Sequence, residues 1–172
     1  IVCSRERRAG KPTEYDYIGG AHVLRVKIGN ITQTNLIEKG ISTLTIESAY
    51  KAAIKKHLKN VKYDMVLYST PPITFVNVVK YVKERDDAFC YLLLKDIFPQ
   101  NAVDIGMLSK TGVKAPIYKM FRQKEKALYA VSDKIGCMSN ANCEYVIKHN
   151  PEVSPYKLEI SPNTMESDEK AI

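Results

Sequence analysis

Lys95, Asp96, Gln100, Asn101 and Asp104 cluster between positions 95 and 104, and their side chains are of the kinds that bind or deprotonate a polar ligand. They follow directly on Tyr91-Leu92-Leu93-Leu94, a short apolar run. Continuous apolar runs belong to strands buried on both faces, which occur where helices cover both sides of a parallel sheet. In such sheets ligands bind just beyond the carboxyl ends of the strands. A carboxylate held there, Asp96, can orient a hydroxyl or accept its proton once it lies within about 3 Å of it. Gln100, Asn101 and Asp104 can add hydrogen bonds. The competing roles for Asp96 are an ion pair with Lys95 or a cap on the following helix. Adjacent residues on a strand point to opposite faces, so Lys95 and Asp96 need not pair.

Two further strand ends should line the same crevice. Asp64-Met65-Val66-Leu67-Tyr68-Ser69 runs into Thr70-Pro71-Pro72, and Lys134-Ile135-Gly136-Cys137-Met138 runs into Ser139 and Asn140. The two prolines remove two backbone donors and pin the chain. Ser69 or Thr70 either caps the helix that follows or presents its hydroxyl, with the helix's free N–H groups, to an anionic or hydroxylated ligand.

The elements that must position these residues follow from periodicity. Residues 23–28, 64–69, 88–94, 134–138 and 158–160 read as strands. Residues 46–58, 73–84 and 116–131 read as helices, and Ser139 or Asn140 caps another that reaches Lys148 and stops at Asn150-Pro151. Residues 31–44 read as a loop, and a short helix is expected over 101–108, with Gly106 and Gly112 as breaks. This alternation predicts an α/β fold: a Rossmann-like three-layer domain with a mainly parallel sheet and right-handed crossovers. The domain is expected to span residues 1–162. Ile1-Val2-Cys3 reads like the end of a strand, so a first strand and helix are expected to precede it. The polar, acidic stretch 163–172 reads as an interdomain linker or truncated tail.

Composition narrows the function classes. The apolar fraction of 45% and charged fraction of 26% are ordinary for a globular protein. No apolar run approaches the roughly 20 residues that span a bilayer. Cys3, Cys90, Cys137 and Cys143 lack metal-ligand spacing and read as free thiols in a reducing compartment, with Cys137 and Cys143 placed to face one another across a strand-helix junction. His22, His57 and His149 have no ligand spacing either, and no nucleophile-base-orienter set can be assembled. Gly19-Gly20 precedes a strand instead of following one, the wrong order for a dinucleotide fingerprint. The net charge of +7 comes with no nucleic-acid reading module, and an anionic lipid surface or phosphate-bearing substrate explains it at least as well. On the helix from Pro116, the stripe Ile117, Met120, Phe121, Leu128 and Val131 is expected to face the core. Lys114, Lys119, Arg122 and Lys126 then form either a solvated face or a peripheral contact with anionic headgroups, without insertion.

Four ordered motifs now carry a resemblance. Tyr68-Ser69-Thr70-Pro71-Pro72-Ile73-Thr74, Lys95 through Leu108, Ser132 through Ser139, and Ile160-Ser161-Pro162-Asn163 are similar in spacing and order to family 4 bacterial glycosyltransferases. The similarity covers most of residues 21–165 and is closest to the branch of capsule and O-antigen sugar transferases. Phe98 and Gln100 stand where the family commonly has Trp and Glu; the first preserves a hydrophobic anchor and the second removes a charge. The resemblance implies one half of a GT-B architecture, the acceptor-side domain of a retaining transferase. Asp96 would be its catalytic carboxylate. Ser69, Thr70, Lys95, Gln100, Asn101 and Ser139 would shape the acceptor site, and Asn163 would mark the crossover to the second domain. It further implies no metal and no cofactor in this domain, with a UDP-linked nucleotide sugar bound by a carboxy-terminal donor domain. The acceptor would be a polyprenyl-diphosphate-linked sugar, and the setting the cytoplasm or the inner face of the cytoplasmic membrane. The alternative is a non-catalytic α/β module that binds an anionic ligand or nucleic acid.

Overall fold

A computed structural model describes residues 1–70 and 72–162. The expected linker over 163–172, the crossover at Asn163 and the placement of Pro71 lie outside the described residues. The fold is α/β and Rossmann-like, of the expected three-layer class, with one mixed sheet and one mainly parallel sheet. The chain divides into two compact units, Ile1–Val66 with Pro72–Phe89, and Leu67–Pro71 with Cys90–Ile172.

In the first unit, β1 (Val2–Glu6), β2 (Glu14–Ile18) and β3 (Ala21–Ile28) form a sheet in the order β1-β3-β2. β1 runs parallel to β3 and β2 antiparallel to it. β2 was not expected from the sequence. Its Ile18 pairs with Ala21 across Gly19-Gly20, whose φ angles are 57° and 83°. A two-residue hairpin turn with both central residues at positive φ requires glycine-like freedom, and this pair supplies it. Along β3 the side chains alternate, and Leu24, Val26 and Ile28 are buried.

α1 spans Leu36–His57, so the expected loop over 31–44 is corrected: the helix begins well before residue 46. The Asn35 side chain accepts the Glu38 N–H at 2.8 Å, which satisfies one of the free donors of the first turn. The longer helix lays Ile46, Tyr50, Ala53, Ile54 and Leu58 against β3. α2 (Val76–Asp86) adds Val78 and Val82 to the same core. Each fully buried aliphatic side chain contributes about 1.5–3 kcal/mol.

In the second unit, β4 (Met65–Ser69), β5 (Phe89–Leu94), β6 (Lys134–Cys137) and β7 (Leu158–Ile160) follow one another in sheet order as they do in sequence. Cys90, Leu92, Ile135 and Cys137 are fully buried. Between them lie α3 (Gln100–Asp104), α4 (Ala115–Val131) and α5 (Asn140–His149). The pairings of β5 with β6 and of β6 with β7 are both parallel, so each connection is a crossover, the first through α4 and the second through α5. The expected helix over 101–108 is shorter than read, ending at Asp104, and Gly106 and Gly112 adopt φ of 74° and 66° in the connection that follows.

The expected core stripe of α4 is corrected in part: Leu128 is buried as expected and Phe121 and Val131 are half-buried, but its first two residues face outward. Ile117 is 48% exposed and Met120 38%, whereas the buried residues of this helix are Glu125, Leu128 and Tyr129. The helix is turned so that an acid, held by its own partners, goes inward. Apolar periodicity alone does not register such a face. Among the described residues, no helix is long and apolar enough to cross a membrane.

Candidate functional site

The end of the sheet in the second unit collects most of the residues singled out from sequence. Leu94 pairs with Cys137 and Cys137 with Ile160, so the residues after β5, β6 and β7 emerge along one edge. β5 is an interior strand, between β4 and β6. Asp96 is exposed just past its end, and its carboxylate has no hydrogen bond or ion pair within the described residues. It neither pairs with Lys95 nor caps α3, whose first turn has no side-chain cap.

Thr70 holds this corner in place. It is buried, its Oγ1 donates to the Asp96 carbonyl at 3.1 Å, and it accepts the Asp96 N–H at 3.3 Å. Its own N–H donates to the Leu93 carbonyl at 3.1 Å. Thr70 therefore clamps the backbone that carries Asp96 and caps no helix, since the turn from Ile73 has no side-chain cap. Ser69 is half-buried at the end of β4. Lys95 is exposed and its N–H donates to Leu93 O at 3.1 Å.

The amides differ in how fully they are used. The Gln100 Nε2 donates to Asp104 Oδ1 at 2.6 Å. Asn101 Oδ1 is buried and has no partner among the described residues. A buried carbonyl oxygen left without a donor costs about 1–3 kcal/mol, unless a hydroxyl or water completes it. The Ser139 hydroxyl is occupied in capping α5: it accepts the Asn142 N–H at 3.3 Å and donates to Asn142 Oδ1 at 2.7 Å. Cys137 and Cys143 are free thiols, and burial, with Cys143 beside it, pushes the Cys137 thiol up to about 12.

A second polar constellation, not anticipated from the sequence, lies where α4 and α5 run side by side. A cavity of about 150 Å³ opens there, lined by Gln100, Lys110, Tyr118, Arg122, Glu125, Tyr145 and His149, with Pro99. Glu125 is 4% exposed. Arg122 Nη1 donates to its Oε2 at 2.7 Å and the Tyr129 hydroxyl donates to its Oε1 at 2.8 Å. Arg122 Nη2 reaches across to α5, donating to His149 O and to Asn150 Oδ1, both at 2.6 Å. Burial raises the Glu125 carboxyl above the usual range, against the opposing pull of the Tyr129 hydroxyl and the Arg122 guanidinium. The Tyr145 and His149 rings stack at 3.9 Å. His149 Nδ1 lies 2.9 Å from Tyr145 O; a carbonyl only accepts, so Nδ1 carries the proton and Nε2 is left for another partner.

Arg122 was expected on a basic outer face; its guanidinium is instead engaged with Glu125, His149 and Asn150. Lys126 pairs with Glu152 at 2.9 Å, while Lys114 donates to Met107 O at 3.2 Å. Lys119 is exposed. The spacing of Arg122, Glu125 and Tyr129 on one helix (i, i+3, i+7) was available as a signal, but the α5 partners that give it meaning are distant in sequence. In the first unit, a broad open groove of about 820 Å³ includes Arg7, Asn35 and Glu38. These groups bond one another, Arg7 to Glu38 at 2.6 Å, and do not converge on a common point. Among the described residues there is no group of His, Cys, Asp and Glu that could hold a metal ion.

The sheet edge thus carries an exposed carboxylate, Asp96, on a clamped backbone, and α3 carries a buried amide oxygen, Asn101 Oδ1, without a donor among the described residues. No family model matches the chain, and no curated protein matches it either.

Proposed function

We propose that this chain is the acceptor-side half of a retaining glycosyltransferase of GT-B architecture. It would move a sugar from a UDP-linked donor to a polyprenyl-diphosphate-linked sugar in surface polysaccharide biosynthesis. The observation that carries the reading is Asp96: an exposed carboxylate without a partner among the described residues, at the end of an interior strand of the sheet and within a motif that resembles the family. Asp96 orients the attacking hydroxyl, and Thr70 fixes the backbone that presents it. A separate donor domain stabilises the leaving diphosphate, so most of the rate enhancement comes from positioning and from charge stabilisation across the cleft. The setting is the cytoplasmic face of the membrane, where Lys114, Lys119 and Lys126 meet anionic headgroups.

The test is calorimetric titration with a short-chain polyprenyl-diphosphate-linked monosaccharide. The chain should bind it saturably and weakly, and Asp96→Asn should weaken binding by about tenfold or more, the loss of one charge-assisted hydrogen bond. The chain alone should release no UDP from UDP-sugars above background. Robust turnover by the chain alone would overturn the division of labour. Salt-sensitive binding of generic DNA, indifferent to Asp96→Asn, would favour a non-catalytic binding module.

A further inference from the structure

The connection from α3 to α4 carries an outward apolar surface that the function above leaves unused. Ile105 is 71% exposed, Met107 56%, Val113 95%, Ile117 48% and Met120 38%. Val113, Ile117 and Met120 are spaced i, i+4, i+7 and therefore line one helical face. The Lys114 ammonium donates to the carbonyls of Met107 at 3.2 Å and Gly106 at 3.5 Å, which draws the Ile105–Met107 segment against the start of α4. The five exposed apolar side chains thus belong to the α3–α4 connection and the first turns of α4, which Lys114 ties together. Exposed apolar clusters of this kind mark surfaces that meet a membrane or a partner.

Charge decides between those two. From Ile105 to Lys124 the sequence has no acidic residue, while Lys110, Lys114, Lys119 and Lys124 fall within it; Arg122 is turned to Glu125 and adds nothing to this charge. Lys110 lies over the Tyr118 ring at 5.9 Å. Exposed apolar side chains interspersed with lysines fit an anionic leaflet, which offers acyl chains to the first and phosphates to the second.

We propose that residues 105–120 insert into the outer part of an anionic phospholipid leaflet, with Val113 and Ile117 reaching the acyl chains and Lys110 and Lys119 at the phosphates. This goes beyond headgroup contact by a basic helix face, and it does not depend on sugar transfer. The lysines bring the chain to the surface, and burial of the apolar tip holds it there. The interaction therefore requires both charge and apolar area, unlike a purely electrostatic contact.

Co-sedimentation with phosphatidylcholine vesicles, with and without phosphatidylglycerol, tests it. The chain should partition onto the anionic vesicles only, and the double substitution Val113→Ser with Ile117→Ser should weaken partitioning by about tenfold or more. The chain contains no tryptophan, so Val113→Trp introduces a single indole reporter. Its emission should shift to the blue on anionic vesicles and be quenched by lipids brominated in the acyl chain. Unshifted emission, or partitioning untouched by the double substitution, would overturn insertion. So would failure to bind anionic vesicles, or a dimer that the double substitution dissolves, because the apolar tip would then be covered by a second copy. Both substituted positions are exposed, and circular dichroism confirms the fold; should the double variant not fold, the indole reporter decides alone.

Discussion

Arg122→Met isolates the energetic role of the constellation between α4 and α5. The substitution keeps an apolar stem and removes a guanidinium that donates to Glu125 at 2.7 Å and to His149 O and Asn150 Oδ1 at 2.6 Å. Glu125, 4% exposed, would keep only the Tyr129 hydroxyl at 2.8 Å. Breaking one side of a buried ion pair costs about 3–5 kcal/mol, because the remaining charge stays buried and uncompensated. That is a large share of the roughly 5–15 kcal/mol by which a domain is stable. The loss should also depend on pH. Burial already raises the Glu125 carboxyl, and Arg122 is among the groups that hold it down, so its removal raises the carboxyl further. A group whose folded pKa lies above its unfolded value contributes stability that is complete below the unfolded pKa and vanishes as pH rises through the folded one. The penalty should therefore be largest near neutrality and shrink as pH falls toward the carboxylate range near about 4.3. Adding Glu125→Gln should restore most of the loss, since an amide can stay buried uncharged. Urea unfolding followed by circular dichroism, at about pH 7.5 and about pH 5, measures all three variants. A loss below about 1 kcal/mol, an equal loss at both pH values, or no rescue by Glu125→Gln would refute the reasoning.

Two other substitutions probe the ground under the site. Thr70→Val keeps the shape but leaves the Asp96 N–H without its acceptor, so stability should fall by about 1–3 kcal/mol and the 95–96 backbone amides should exchange faster with solvent. Unchanged exchange would remove Thr70 from the role of clamp. Gly136→Ala would place a methyl 2.6 Å from the Tyr91 hydroxyl and 2.8 Å from Ser161 Cβ, so that β6 can keep its place only if Tyr91 and Ser161 yield. A loss of about 1–3 kcal/mol on thermal or urea unfolding is expected, with the Tyr91 to Glu159 bond of 2.6 Å disturbed. A neutral effect would mean that Tyr91 swings aside freely.

How much of this could be read from residues alone depends on where the information lies. The strands at Met65–Ser69, Phe89–Leu94, Lys134–Cys137 and Leu158–Ile160 were legible from short apolar stretches bounded by turn residues. The expected burial on both faces is corrected: along β5 buried Cys90, Leu92 and Leu94 alternate with less buried neighbours, and Leu67 of β4 is 61% exposed. Ser139 was legible as a cap because its partner, the Asn142 N–H, is three residues away. The hairpin at Gly19-Gly20 was missed although two adjacent glycines after Glu14–Ile18 are a turn signal; they had been weighed only as a phosphate loop. The start of α1 was missed because residues 36–45 are rich in β-branched and small side chains, and the local signal was Asn35 three residues before Glu38. At the site, the open position of Asp96 followed from the end of an apolar run. The Thr70 clamp did not, since it joins residues that are 26 apart. Glu125 was invisible for a related reason: an acid among lysines on a helix reads as surface until Asn150, from the end of another helix, is brought to its arginine.

Because β5, β6 and β7 lie beside one another in the order in which a ribosome releases them, each strand of this part of the chain finds its neighbour already made. Every closure spans a single crossover, so the entropy lost in bringing strands together stays small and the contact order stays low for a parallel sheet. Growth by successive addition also limits how long an unpaired strand edge stands open to other nascent chains, which is the moment when parallel sheets are most prone to aggregate.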